Sequence, residues 1–379
     1  MSLKTISAFR HWKIIGVLLL LLTIGVFGVE SSGVPVAHAD DPTPNDIPHD
    51  PPPMASAIID NGTVHIGVLD QGHLGVGVPY SSDPASIGAV GLRYVPIPAS
   101  ASTEPGCICE GWGVADAGTG QNAHADVAVG GVSGMTVDSF TSSGVSPSGA
   151  VGSVGTQAES VVTAFGRLRV THDFHPTPLT PNLYEVDVTI ENISTTDVTD
   201  LRYTRTMDWD IYPTYFDEYV TIQGVGSAAN LLYADDNGFQ DPNPLLTRSA
   251  SNVGNMVDNG PDDHGAHFDF GFGPLPAGGT QTFRIYYGAA PTEAGANAAL
   301  TAVGAEAYSF GQSNGGQVTG SPVTFIFAFS GVGGSVLIPP DLLLEPTADT
   351  NNVGETHTLT ATLTDDSGKA RLKLAFDID

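Results

Sequence analysis

Alternation of apolar and polar residues constrains this chain more than any other feature. In "LYEVDVTIEN", Tyr184, Val186, Val188 and Ile190 fall on one side of an extended backbone, and Glu185, Asp187, Thr189 and Glu191 on the other. That period of two is the signature of a strand with one face buried. "LRYTRTMDWDI" repeats it, with Leu201, Tyr203, Met207, Trp209 and Ile211 opposite Arg202, Thr204, Thr206, Asp208 and Asp210. Further strands are expected at "GTVHIGVLD", "VGLRYVPI", "ADVAV", "MTVDSF", "ESVVTAF", "RLRVTHDF", "EYVTIQG", "NLLYA", "AHFDFGF", "QTFRIYYGA" and "VTFIFAFSG". Only the alanine-rich "TEAGANAALTAVGAEAY", near residues 292–308, reads as a helix, weakened by its glycines. The 46 glycines and 27 prolines support strands joined by turns. The expected fold is all-β: a large antiparallel β-sandwich with one short helix over residues 55–335, without a fixed-period repeat.

The N-terminus reads as an export signal. Lys4, Arg10 and Lys13 precede an uncharged stretch, "IIGVLLLLLTIGVFGV", and Ala37, His38 and Ala39 offer small residues at the cleavage positions. The apolar run is shorter than the roughly 20 residues that span a bilayer, and an uncleaved anchor is the alternative. Residues 1–39 are therefore a signal peptide, and no transmembrane span is expected in the mature chain. Residues 40–54 are a Pro-rich spacer, in which "DDPTPNDIPHDPPP" favours extended backbone over a core.

Removing residues 1–39 takes away three basic residues and Glu30, so the formal net charge moves from −28 to −30. Residues 40–368 contain arginine but no lysine. Nucleic-acid binding, which needs clustered Lys and Arg at the phosphates, is excluded as a role, and so is lysine-dependent catalysis over that span. Strong acidity is compatible with cation binding and with saline surroundings.

Residues 336–379 hold a linker and a hairpin. Threonine occupies every even position from Thr356 to Thr364, "DDSG" supplies turn chemistry, and Ala370, Leu372, Leu374, Phe376 and Ile378 alternate beyond it. A lone hairpin is marginal in water. The stretch "LLLEPTADTNNVGETHTLTATLTDDSGK" resembles the first strands of the bacterial immunoglobulin-like repeats of invasin-type cell-surface proteins. The resemblance covers about 40 residues of the 80 to 100 such a sandwich needs, and departs from the family's pattern at Ala370 and Arg371. It implies a truncated immunoglobulin-like domain, and hence a fragment of a longer surface protein. Residues 55–335 resemble exported bacterial β-sandwich modules in general style, in "VDVTIENIS" and "LPAGGTQTFRIYYGA", a likeness that carries no activity.

Candidate chemistry is sparse. Cys107 and Cys109 lie in "PGCICEGWG". An oxidising compartment favours a disulfide, yet a bridge across one intervening residue closes a strained ring; a local disulfide, free or intermolecular thiols and a metal site all stand as readings. The pairs His172/His175 and His264/His267 have spacing of three, which on a strand sends the side chains to opposite faces, so these read as structural or solvated histidines. Asp208 and Asp210 share a strand face, with Asp217 and Glu218 close behind, which suits a glycosidase-like carboxylate pair or a cation. For calcium the best local stretch is "DDNGFQDPN", where Asp235, Asp236, Asn237, Asp241 and Asn243 offer oxygen ligands around a glycine. Tyr233 stands where an EF-hand needs its first aspartate, and a polar turn is the competing reading. "NGPDDH", with Asp262 and Asp263, is a weaker case of the same kind. "GQSNG" at Gly311–Gly315 spells a nucleophile-elbow motif but lacks the helix that motif needs after the serine.

These readings point to an exported bacterial surface or extracellular protein, structural or adhesive and non-catalytic, with surface glycans or other proteins as partners. The alternative is a secreted carbohydrate-binding or carbohydrate-active sandwich using Asp208 and Asp210, or exposed aromatics such as Trp112 and Tyr215.

Overall fold

The computed structural model describes residues 56–77, 89–97, 110–126, 130–148, 154–315 and 323–335. The signal peptide, the spacer, Cys107 and Cys109, and the terminal hairpin lie outside them. In chain order the strands are β1 (Ser56–Asp60), β2 (Val64–Leu69), β3 (Val76–Gly77), β4 (Ala89–Val90), β5 (Leu92–Tyr94), β6 (Glu110–Asp116), β7 (Gln121–Asp126), β8 (Val132–Ser133), β9 (Met135–Ser143) and β10 (Gln157–Ala164). They continue with β11 (Leu168–Pro176), β12 (Leu183–Asn192), β13 (Val198–Asp208), β14 (Glu218–Gln223), β15 (Leu231–Asp235), β16 (Met256–Asp262), β17 (Gly265–Leu275) and β18 (Thr280–Ala290). A helix, α1 (Glu293–Val303), precedes β19 (Ala307–Ser313) and β20 (Thr324–Ser330).

Two large antiparallel sheets hold most of these strands. One has nine strands in the order β16-β14-β19-β20-β18-β12-β11-β10-β9, the other six in the order β15-β17-β13-β6-β7-β8. Their facing sides share one core. Phe268 and Phe270 of β17 meet Phe329 of β20 at 4.9 and 4.8 Å between ring centroids, and Tyr203 of β13 meets Phe283 of β18 edge-on at 4.9 Å. Such aromatic pairs in preferred geometry add to their large buried area. The fold is an all-β sandwich, as the alternation implies. A small sheet, β1-β2-β5, contributes Ile59, Val64, Ile66, Val68 and Leu92 to the same core.

The helix forms where the alanine-rich segment predicts, with ends set by local chemistry. Thr292 Oγ1 accepts the Gly295 amide at 3.1 Å, and Gly304 closes the last turn at φ 64°. Ala296, Ala299 and Leu300 bury against the outer side of the nine-stranded sheet, beside Tyr308, Phe310 and Ile326. β19 and β20 are thus covered on both faces. At the far edges of that sheet, β16 carries Pro261 and β9 is rich in Ser and Thr, residues suited to strands that lack a second neighbour.

Candidate functional site

Two chain crossings between the sheets converge at one edge of the sandwich. β13, in the six-stranded sheet, ends at Asp208, and the chain returns as β14 in the nine-stranded sheet, starting at Glu218. β16 ends in the nine-stranded sheet at Asp262, and the chain crosses back through Asp263 and His264 into β17. The Trp209 amide donates to the His264 carbonyl at 3.0 Å, tying the crossings together. Trp209 turns its fully buried indole inward, where Nε1 donates to Ser309 Oγ at 3.1 Å. Alternation then sends Asp208 and Asp210 the other way, and with Asp263 they present carboxylate oxygens that all lie within 4.8 Å of one another.

Glu218 lies against this group. Its Oε1 accepts the amide of Ile211 at 3.0 Å, while Oε2 is buried without a hydrogen-bond partner. Glu218 and Asp210 are both 0% exposed and Asp208 is 8% exposed. Burial pushes the Glu218 carboxyl up to about 9; the Ile211 amide works against that rise, and the charges of Asp210 and Asp263 reinforce it. Asp263 is likewise raised, chiefly by burial and then by Asp262, with His264 opposing. Elsewhere in the sandwich, Arg167, Arg169, Arg202, Arg205 and Arg248 pair with Asp116, Glu191, Asp200, Glu110 and Asp269, and Arg284 with Glu185 and Asp187.

The loop joining β13 to β14 is fixed to β19's end, where Thr214 Oγ1 accepts the Asn314 amide at 2.7 Å and Asn314 Nδ2 donates to Asp217 Oδ2 at 2.6 Å. Phe216 holds φ 65°, which a bulky side chain seldom adopts. Tyr212 and Phe216 are 46% and 43% exposed, and Tyr212 packs edge-on against Tyr215 at 5.9 Å. This loop therefore carries the aromatics available to a ligand. Trp112 does not belong with them: it is fully buried, donates Nε1 to the Gln71 carbonyl at 2.8 Å and stacks on Tyr203. Its strand, β6, lies between two neighbours in the six-stranded sheet and faces the core, so the expectation of an exposed Trp112 is corrected.

The calcium stretch folds as a self-bonded turn. Asp235 accepts from the Asn237 amide at 3.0 Å and from Gln240 Nε2 at 2.8 and 2.7 Å. Asp236 accepts from the Asn252 amide and side chain and lies 3.2 Å from His264 Nδ1. Asn237 accepts the Phe239 amide, and Asp241 the Asn243 amide. These oxygens accept from nearby amides and side chains, and Asp235, Asp236 and Asp241 are not in the convergent ligand groups found among the described residues.

His172 is buried in the core while His175 faces outward, 3.4 Å from Asp187. His175, Glu185 and Asp187 form the other convergent ligand group among the described residues, but Arg284 Nε already lies 2.6 Å from Glu185 and 2.8 Å from Asp187. His264 and His267 are both buried, and His267 lies 3.1 Å from Asp269. Ser313 of "GQSNG" is 5% exposed within β19, and no helix follows it among the described residues.

A buried ionic centre was missed by the alternation argument. Arg205 sits between Tyr203 and Met207 on the apolar face of β13, at 0% exposure, and its Nε and Nη2 reach the equally buried Glu110. Glu110 Oε2 also accepts the Leu74 amide at 2.8 Å, and Oε1 the Tyr287 hydroxyl at 2.6 Å. Arg205 Nη2 donates to the Gly72 carbonyl at 3.0 Å, and His172 Nε2 meets the Tyr203 hydroxyl at 3.0 Å. Burial, with Arg205 adding to it, lowers His73 to about 3 and holds His172 well below its ordinary value. The sequence signal was a charged residue at a core-facing position, "RYTRTMD".

Compared with known proteins, the chain matches no family model and no curated protein. Among the described residues, no helix is long and apolar enough to cross a membrane.

Proposed function

We propose that the chain is an exported bacterial protein of the cell surface or extracellular space, with a structural or adhesive and non-catalytic role. The observation that carries this reading is the state of its ionisable groups. Arg205 and Glu110 are sealed in the core, and Asp210 and Glu218, the deepest carboxylates of the edge cluster, have no exposed surface. A glycosidase needs an acid and a second carboxylate flanking a sugar ring, and groups at this depth do not reach one. Export is supported by the basic and apolar N-terminal sequence, and the surface role by the resemblance of residues 340–379 to immunoglobulin-like repeats.

The test is expression of the full chain in a bacterium, followed by fractionation and N-terminal sequencing. The expected product begins at Asp40 and is recovered outside the cytoplasm; full-length protein confined to the cytoplasm would refute export. Glycan binding is the second reading, favoured by the exposed Tyr212 and Phe216 beside the carboxylates. On a glycan array, that reading requires binding that falls in Tyr212→Ala and Phe216→Ala.

A further inference from the structure

We propose that Thr324 and Gln312 are the two ends of an ester cross-link, formed by attack of the threonine hydroxyl on the glutamine carboxamide with release of ammonia. The assignment is independent of export and adhesion. Its first support is placement. One step beyond the Gly311–Phe325 pair of the antiparallel β19–β20 ladder, Gln312 faces Thr324, and Gln312 Nε2 donates to Thr324 Oγ1 at 2.7 Å. Directly opposite Cβ atoms in such a pair stand about 5 Å apart, a gap that the atoms Cβ–Oγ1–Cδ–Cγ–Cβ of an ester bridge span without moving either strand.

The second support is the exclusion of water. Gln312 is 3% exposed and Thr324 0%, on the side of the sheet where Phe310 and Ile326 pack under α1. A hydroxyl held against a carboxamide in a fixed pair has the advantage of proximity, and an ester formed there is sheltered from hydrolysis. The contacts of Thr119 with Gln121 and of Ser143 with Gln157 bring together the same two groups but are exposed. Water reaches the carbonyl carbon at those two places as readily as the neighbouring hydroxyl does.

Glu293 supplies the third group. It opens α1, and its carboxyl meets the Gln312 side chain. Burial raises that carboxyl above its ordinary value; the charge of Asp258 adds to the rise and the Gln312 contact opposes it. A proton is thereby held beside the nitrogen that must leave. The last torsion of glutamine is soft and lets the amide turn its face to Oγ1. In the reaction the bond from Thr324 Oγ1 to Gln312 Cδ forms and the Cδ–Nε2 bond breaks. Glu293 gives its proton to the departing nitrogen and takes the hydroxyl proton in return, so the products are the ester and ammonia, with no change of oxidation state.

The test is mass spectrometry of the full chain, purified folded, held at neutral pH, then denatured and cut with trypsin. The peptide 285–369 has no internal lysine or arginine and carries both partners. It should be lighter than its sequence by one ammonia, and backbone breaks between residues 312 and 324 should release no fragments. Thr324→Val keeps the shape and removes the nucleophile, and should restore the full mass. Glu293→Gln should restore it in most chains, and Thr119→Val, at the exposed contact, should leave the deficit intact. Far-UV circular dichroism checks that the variants fold. Full mass in the unmutated peptide overturns the proposal whatever the variants do. So does a deficit that persists in Thr324→Val, which would place the lost ammonia at a succinimide of Asn314 and Gly315, or one undiminished in folded Glu293→Gln.

Discussion

Replacing Arg205 with Met tests the buried ionic centre directly. Met preserves most of the unbranched volume and removes the guanidinium, leaving Glu110 at 0% exposure with two donors, the Leu74 amide and the Tyr287 hydroxyl. Removing one partner of a buried ion pair strands the other charge and costs about 3–5 kcal/mol. At about 2–4 °C per kcal/mol for a domain of this size, the melting temperature should fall by roughly 10 °C. Glu110→Gln alone strands Arg205 and should cost about as much. The double variant Arg205→Met/Glu110→Gln carries no charge at either position, and the introduced amide oxygen can still accept from the Leu74 amide or the Tyr287 hydroxyl. It should therefore be more stable than either single variant, with a coupling of at least about 2 kcal/mol in a double-mutant cycle by urea unfolding. Additive losses, or a cost below about 1 kcal/mol for Arg205→Met, would refute the view that this pair acts as one desolvated unit.

Other consequences can be checked with the same material. His73 and His172 are held neutral by burial and by Arg205, in a pocket that also contains Glu110 and Tyr203. Their folded pKa values lie below the unfolded value near 6.5, so the unfolded chain takes up protons first and stability should fall as pH drops from about 6.5 toward 3. His172→Phe should flatten that slope by about one proton in urea titrations across pH, and an unchanged slope would contradict the assignment. Gly311→Ala places a Cβ 2.5 Å from the Trp209 ring and should destabilise by about 1–3 kcal/mol through overpacking, measured by thermal unfolding. Thr292→Ala removes the cap of α1 and should cost about 0.5–2 kcal/mol; a silent substitution would show that packing alone holds the helix.

The half-buried strands were legible in the sequence because one face meets water. β10, β11 as far as His175, and β12 from Val186 onward alternate residue by residue in burial, as "LYEVDVTIEN" does in composition. β6 and β19 were not: both are buried throughout, so period two disappears, and their sequences, "EGWGVAD" and "AYSFGQS", lack the apolar β-branched or aromatic run that marks the equally buried β2 and β20. β16 was hidden by its "NGPD" ending, which reads as a turn and serves as a sheet edge. For the site, the shared face of Asp208 and Asp210 was readable from spacing alone. Asp263 joins them through a crossing between sheets, a long-range property that no local pattern encodes. Arg205 was readable, as a charge at a core-facing position, but its partner Glu110 lies 95 residues away.

The pairing of the arginines has a consequence for survival outside a cell. Trypsin-like proteases cut after lysine or arginine and need the basic side chain free and its backbone extended into their cleft. Residues 40–368 contain no lysine, and in the folded sandwich Arg205 and Arg248 are 0% and 7% exposed. Arg167, in the turn before β11, is 16% exposed and bound to Asp116, Gln121, Thr196 and Asp197. The more open Arg169 and Arg284 lie within β11 and β18, where both sides of the backbone already belong to neighbouring strands. Digestion of the native sandwich is thereby coupled to its unfolding, and its durability among such proteases is set by the rate at which the sheets part.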